Sequence, residues 1–174
     1  MDEYALGGDR LEPRGLKCLS LFQPWAQLVV LGLKRYETRP WTTRHRGPLL
    51  IHASRRRPAR PEERGPTGFH MPELDGMYRD LASRGYGVDD LPLGAIIGGV
   101  VVQEVYHTED LEPLAERIGE AEMLVGNFAP DRFAWRLIHP FRLAEPIPWR
   151  GRQRLFDVEL PPELEELARE AARP

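Results

Sequence analysis

The chain has 174 residues and a formal net charge of −3, enough for one ordinary domain to bury roughly two-thirds of its unfolded surface without a disulfide or metal staple. Its single cysteine, Cys18, excludes an internal disulfide and suits a reducing compartment. The longest apolar run falls far short of the roughly 18 residues of a membrane helix, and no basic-then-apolar leader opens the chain, so a cytoplasmic protein with no membrane partner is expected.

Residues 1–15 mix Gly, Asp and Arg without periodicity and read as a flexible N-terminal tail. Leu16 to Leu21 is a first strand, with Cys18 as a buried thiol. Pro24 is placed for the first turn of a helix that carries Trp25, Leu28, Val29 and Leu31 on one stripe and stops at Gly32. Lys34 to Arg39 reads as a short strand or extended segment, and Gly47 to Ala53 as a second clear strand entered through Gly-Pro. Arg55 to Gly76, rich in Arg, Pro, Gly and Glu, looks like a surface insertion that is partly mobile.

A short helix around Leu74 to Arg84 follows, closed by Gly85 or Gly87. Ala95 to Val105 is the longest β-rich run, and Gly98 and Gly99 inside it point to a bend or bulge. Leu111 to Leu124 reads as a modest helix. Phe133 to Ile138 and Phe141 to Ile147 read as two strands, the second broken by Pro146 and Pro148. Leu155 to Leu160 alternates cleanly as the last strand, and Pro161-Pro162 precedes a terminal helix within residues 161–174. About six short strands with few helices between them predict an α+β fold: a small mixed β-barrel over residues 16–160 with flanking helices.

Charge is unevenly spread. From Lys34 to Arg64 there are ten basic residues and three acidic ones, a local +7 that leaves about −10 for the remainder. A basic face of this kind concentrates phosphates, although a solvated arginine-rich loop or a docking arm for a protein partner gives the same pattern. Among 24 basic residues only Lys17 and Lys34 are lysine. Where arginine serves nearly everywhere, Lys34 marks a place that needs a compact ammonium or a group able to release its proton.

Several familiar sites are missing. No glycine-rich phosphate loop or Gly-x-Ser-x-Gly elbow occurs, and one cysteine with five scattered histidines gives no zinc spacing. No metal or cofactor is therefore expected. Among the histidines, His52 stands out because it closes a strand beside the basic cluster.

The informative stretch is Gly32-Leu33-Lys34-Arg35-Tyr36-Glu37-Thr38-Arg39-Pro40-Trp41, flanked by Ser20 to Trp25 and by Gly47 to His52. Strand alternation puts Arg35, Glu37 and Arg39 on one face and Lys34, Tyr36 and Thr38 on the other. A bulge would let Lys34 join Glu37. Arg39 and Arg46 offer forked donors to phosphate, and Trp25, Tyr36 or Trp41 offer a face on which a base could stack. Core packing is the competing role for Trp25 and above all for Trp135, and a plain structural ion pair is the competing role for Glu37 with Arg39.

This pattern resembles the ASCH (activating-signal-cointegrator homology) family, whose members share a PUA-like β-barrel. The family motif, roughly Gly-x-Lys-x-x-Glu-x-Arg, is matched by Gly32, Lys34, Glu37 and Arg39. The flanks also look like the subgroup typified by endothelial-overexpressed lipopolysaccharide-associated factor. The resemblance implies a cleft beside the first helix that holds RNA, a nucleoside or a nucleotide. It makes Gln23, Trp25, Lys34, Glu37, Arg39, Trp41, Arg46 and His52 the candidate ligand-binding residues. Some relatives act in RNA cleavage or as amidohydrolases on acylated cytidine. An alternative reading is therefore a small hydrolase, amidohydrolase or ribonuclease, with Lys34, Glu37 and Glu104 as catalysts.

Overall fold

In the computed structural model, which describes residues 15–58, 72–110, 118–171 and 173, the strands bury residues on both of their faces. In β1 (Leu16–Leu21) and β3 (Gly47–Ala53), Leu19, Leu21, Leu49 and Ile51 face one core, while Cys18 and Leu50 face a second. This is why these strands read as continuous apolar runs rather than as alternations. The first core is covered by α1 (Trp25–Val30), whose Ala26, Val29 and Val30 pack against Trp135 and the strands. The second is covered by the C-terminal helix through Leu164 and Ala168. Burial pushes the Cys18 thiol well above its ordinary pKa.

The strands β1, β2 (Tyr36–Arg39), β3, β4 (Ala95–His107), β5 (Phe133–Pro148) and β6 (Leu155–Val158) form one sheet in the order β2-β5-β4-β3-β1-β6. Among the described residues only β1 and β3 run parallel; every other pair is antiparallel. The sheet ends at β2 and β6, so it is a barrel-like mixed sheet that stays open. Helices α2 (Pro72–Ser83), α3 (Glu120–Val125) and α4 (Pro162–Ala171) complete the α+β fold.

Several boundaries differ from those expected. The two strands expected across residues 133–147 are the single strand β5. The chain turns through His139 at φ 48° just before Pro140, yet pairing to β4 resumes beyond it. Prolines 140, 146 and 148 are tolerated because β2 pairs only with residues 133–136, leaving the rest of that edge without ladder bonds to lose. The bend expected at the β4 glycines is present. A Cβ on Gly98 would sit 2.1 Å from the carbonyl oxygen of Phe141, and the β4–β5 register shifts on either side.

Gly32 stops α1 at φ 72°, with Pro140 too close for any side chain there. The strand expected from Lys34 begins only at Tyr36. The expected insertion Arg55 to Gly76 ends in helix, since α2 starts at Pro72; residues 59–71 lie outside the described residues, as do 1–14 of the tail. Of the helix expected over 111–124, residues 111–117 lie outside the described residues and α3 begins at Glu120.

Candidate functional site

The segment after α1 places the lysine. Leu33 and Lys34 both donate their backbone N–H groups to the carbonyl of Leu28, which ends the helix and fixes the turn into β2. At that turn Glu122 of α3 accepts from the backbone N–H groups of Arg35 and Tyr36 at 2.9 Å, with its own side chain buried. Lys34 is thus outside the strand, and alternation does not govern it. Its ammonium donates to the carbonyl of Tyr36 and lies 3.5 Å from Oε2 of Glu37. No bulge in β2 is required.

Glu37 holds two cations. Its other oxygen, Oε1, sits 2.9 Å from Nε of Arg39 as an ion pair whose N–H is not aligned for a hydrogen bond. Lys34 is 2% exposed and Glu37 7%, so both form a floor rather than a rim. Above them opens a cavity of about 300 Å³, walled by Phe22 and Trp25 on one side and by Val125 to Asn127 and Arg132 on the other. Arg132 is fixed by bonds from Nε to the Asn127 carbonyl at 3.0 Å and from Nη2 to the Thr38 carbonyl at 3.1 Å. Burial lowers its pKa, with Glu37 opposing that shift and Arg39 adding to it. The cavity therefore carries three cations, Lys34, Arg39 and Arg132, against one carboxylate.

Arg39 and Phe22 also line a second, larger cavity of about 900 Å³ that includes Trp41 and His52. Trp41 stands edge-to-face on the buried Trp135, with ring centroids 4.8 Å apart. His52 is 2% exposed; its Nε2 donates to the Trp149 carbonyl at 3.1 Å, and its Nδ1 accepts from the Ser20 hydroxyl at 3.0 Å. Burial lowers its pKa, keeping the ring neutral.

The expected residues thus separate. Lys34, Glu37, Arg39 and Trp25 come together at the small cavity, although Trp25 also donates Nε1–H to the Val125 carbonyl. Trp41 and His52 join Arg39 at the larger one. Gln23 lines neither: it is fully buried, its amide donating to Pro92 and accepting from Gln27, which ties α1 to the loop before β4. Arg46 and Glu104 also line neither cavity. They pair with each other at 2.9 Å, both partly exposed, Glu104 pointing out from β4 where its pKa is lowered by the hydrogen bond from Arg46. The structure does not bring Glu104 to Lys34.

Sequence reasoning missed Arg132, Asn127 and Glu122, because each meets β2 across more than 80 residues of chain and no local pattern marks it. It also missed a group of possible metal ligands, His107, Glu109 and Asp131, whose ligand atoms lie within 4.8 Å of one another, with the two acids exposed. No helix among the described residues is long and apolar enough to cross a membrane.

Fold and site together define a small mixed-sheet domain whose β2 edge opens into cation-lined cavities. A family model described as ASCH domain matches residues 19–147, and the chain belongs to that family. Activating signal cointegrator 1 from Mus musculus is 45% identical over 86 residues, and that from Homo sapiens 44% over 86 residues. Each match takes in 48% of this chain but only 13% of the relative. Among solved structures, the crystal structure of ASCH from Zymomonas mobilis aligns with a TM-score of 0.50 at 15% identity, covering 88% of this chain and 92% of that one. A point mutant of the same Zymomonas mobilis protein aligns equally well and has 96% of its chain covered. These likenesses establish the ASCH fold.

Proposed function

We propose that this ASCH domain binds RNA, seating one unstacked nucleotide in the cavity floored by Lys34 and Glu37. One observation carries the reading. Three cations converge on a hollow of about 300 Å³ where, among the described residues, the one lining carboxylate already bridges two of them. Such a site has spare positive charge for a phosphate, and Trp25 and Phe22 supply apolar walls for a base. Lys34 acts by position: buried and tied to Tyr36 and Glu37, it sets the shape and field of the floor, while Arg39 and Arg132 reach the opening.

The hydrolytic alternative finds less to work with. Both oxygens of Glu37 face cations, and Glu104 lies at another part of the sheet. From the residues that flank the motif, Pro24-Trp25 and Gly47 to His52, we also propose that the domain falls in the endothelial-overexpressed lipopolysaccharide-associated factor-like subgroup. Filter binding to single-stranded RNA over a salt series tests the function. Association at low salt, with log affinity falling linearly against log salt, is expected. No salt-sensitive association at low ionic strength would refute it.

A further inference from the structure

The larger cavity holds chemistry that a single nucleotide does not use. Besides Arg39, four arginines line it: Arg55, Arg150, Arg152 and Arg154. No acidic residue joins them, and among the described residues none of these four pairs with a carboxylate. In a chain of net charge −3 that concentration is local and uncompensated. Two aromatic faces border it, each beneath a guanidinium. Arg154 stands 5.6 Å above the Trp41 ring and Arg56 5.3 Å above Phe22.

Three of the arginines sit on the loop between β5 and β6, and that loop is anchored rather than free. The backbone N–H of Trp149 donates to Gly94 at 3.0 Å, and the Trp149 carbonyl accepts from His52. Gly151 then presses against the His52–Ser20 pair: a Cβ there would lie 2.4 Å from Cε1 of His52 and 2.8 Å from the Ser20 hydroxyl. His52 and Ser20 are neighbours in the parallel β1–β3 register, so the sheet itself supplies the seat. Residues 150–154 remain exposed above it. The fixed backbone spares the loop its own ordering on meeting a ligand, leaving only the arginine side chains to be immobilised.

We propose that the Arg150–Arg154 loop, with Arg39 and Arg55, forms a second subsite that takes the phosphodiester backbone of a single-stranded nucleic acid running on from the small cavity. The inference rests on the RNA-binding reading and extends it from one nucleotide to a strand. Arg39 and Phe22 line both hollows, so they are contiguous. The larger volume, about 900 Å³, is at the upper end of small-molecule pockets and exceeds what one nucleotide fills. A single strand is favoured over a duplex because the small cavity takes a base only when that base is unpaired and splayed out. Gly151 and His52 are positioning residues that hold the loop at the height of Arg39.

The test is fluorescence anisotropy with a labelled oligoribonucleotide of about twelve nucleotides, within the span of known single-strand sites. Wild type is compared with the triple variant Arg150→Gln, Arg152→Gln, Arg154→Gln. A control triple, Arg79→Gln, Arg84→Gln, Arg169→Gln, removes equal charge from α2, the turn after it and α4, at residues that line neither cavity. The groove triple is expected to lose about a hundredfold in affinity at 0.1 M salt and to flatten the log–log salt slope by about 2, three phosphates at roughly 0.7 each. The control triple is expected to stay within about twofold. A second variant, Gly151→Val, keeps every charge but unseats the loop, and is expected to weaken binding with little change of slope. Equal losses in the two triples, or none in the groove triple, overturns the subsite while leaving the small-cavity reading standing. Equal or tighter binding of the matching duplex overturns the single-strand assignment. Failure of wild type to bind at low salt removes the RNA reading and the subsite with it.

Discussion

Glu37→Gln should destabilise the domain sharply. At an effective dielectric of about 20, a charge pair at 3.5 Å is worth about 5 kcal/mol and one at 2.9 Å about 6 kcal/mol before desolvation is counted. Most of that gross attraction offsets the cost of keeping Lys34 out of water at 2% exposure. Neutralising Glu37 leaves the ammonium with the Tyr36 carbonyl alone, and removing one partner of a buried pair typically costs about 3–5 kcal/mol. Arg39, with its side chain 26% exposed, can relax toward solvent, which places the expectation near about 3 kcal/mol. For a chain of this size that is a drop of roughly 6–12 °C in Tm. Calorimetry on Glu37→Gln, Lys34→Met and the double variant makes a cycle in which the double should recover much of the loss, because no lone charge remains buried. Single variants costing under about 1 kcal/mol each and adding simply would mean that the two groups are not coupled, refuting the reasoning.

Glu122→Ala strips the acceptor from the buried N–H groups of Arg35 and Tyr36, and a loss of about 2–4 kcal/mol is expected in urea unfolding, with Glu122→Gln recovering part of it. Gly98→Ala forces a Cβ into the Phe141 backbone, and hydrogen exchange should report early opening of β4 from β5 at a cost of at least about 1–3 kcal/mol; an unchanged exchange pattern would contradict the close approach. The folded pKa of His52 is lowered from 6.5 by burial, so the unfolded chain takes up its proton first as pH falls. Its contribution is complete above about pH 6.5, declines below that and levels off beneath the folded value, so His52→Gln should flatten the rise in Tm as pH climbs towards about 6.5.

Much of the sheet was legible because its strands carry their signal locally. Gly47 to Ala53 and Leu16 to Leu21 coincide with β3 and β1, since runs buried on both faces and bounded by turn residues have few alternative structures. On sequence alone Pro140 and the residues around it read as punctuation and divide β5 in two. That a proline costs an edge strand little depends on which neighbour it lacks, and this is a tertiary fact. Alternation assigned Lys34 to the face away from Glu37. The rule fails because the strand starts two residues later, where Glu122 from a distant helix fixes the turn. The same limit hid Arg132 and the arginines at 150–154. Arg132 sits on a loop with no motif, and the charge count over residues 34–64 drew attention to Arg46, which the fold commits to Glu104. Local sequence carried the Lys-Glu-Arg floor; its walls come from strands and loops that only the finished sheet brings near.

A crystal soaked with a short oligoribonucleotide at saturating concentration would show where the strand sits. One base is expected between Trp25 and Arg132 above Lys34, with its phosphate on Arg39 and the following backbone along Arg150 to Arg154. Ordered ligand elsewhere on the surface, with both hollows beside Arg39 filled only by solvent, would contradict it.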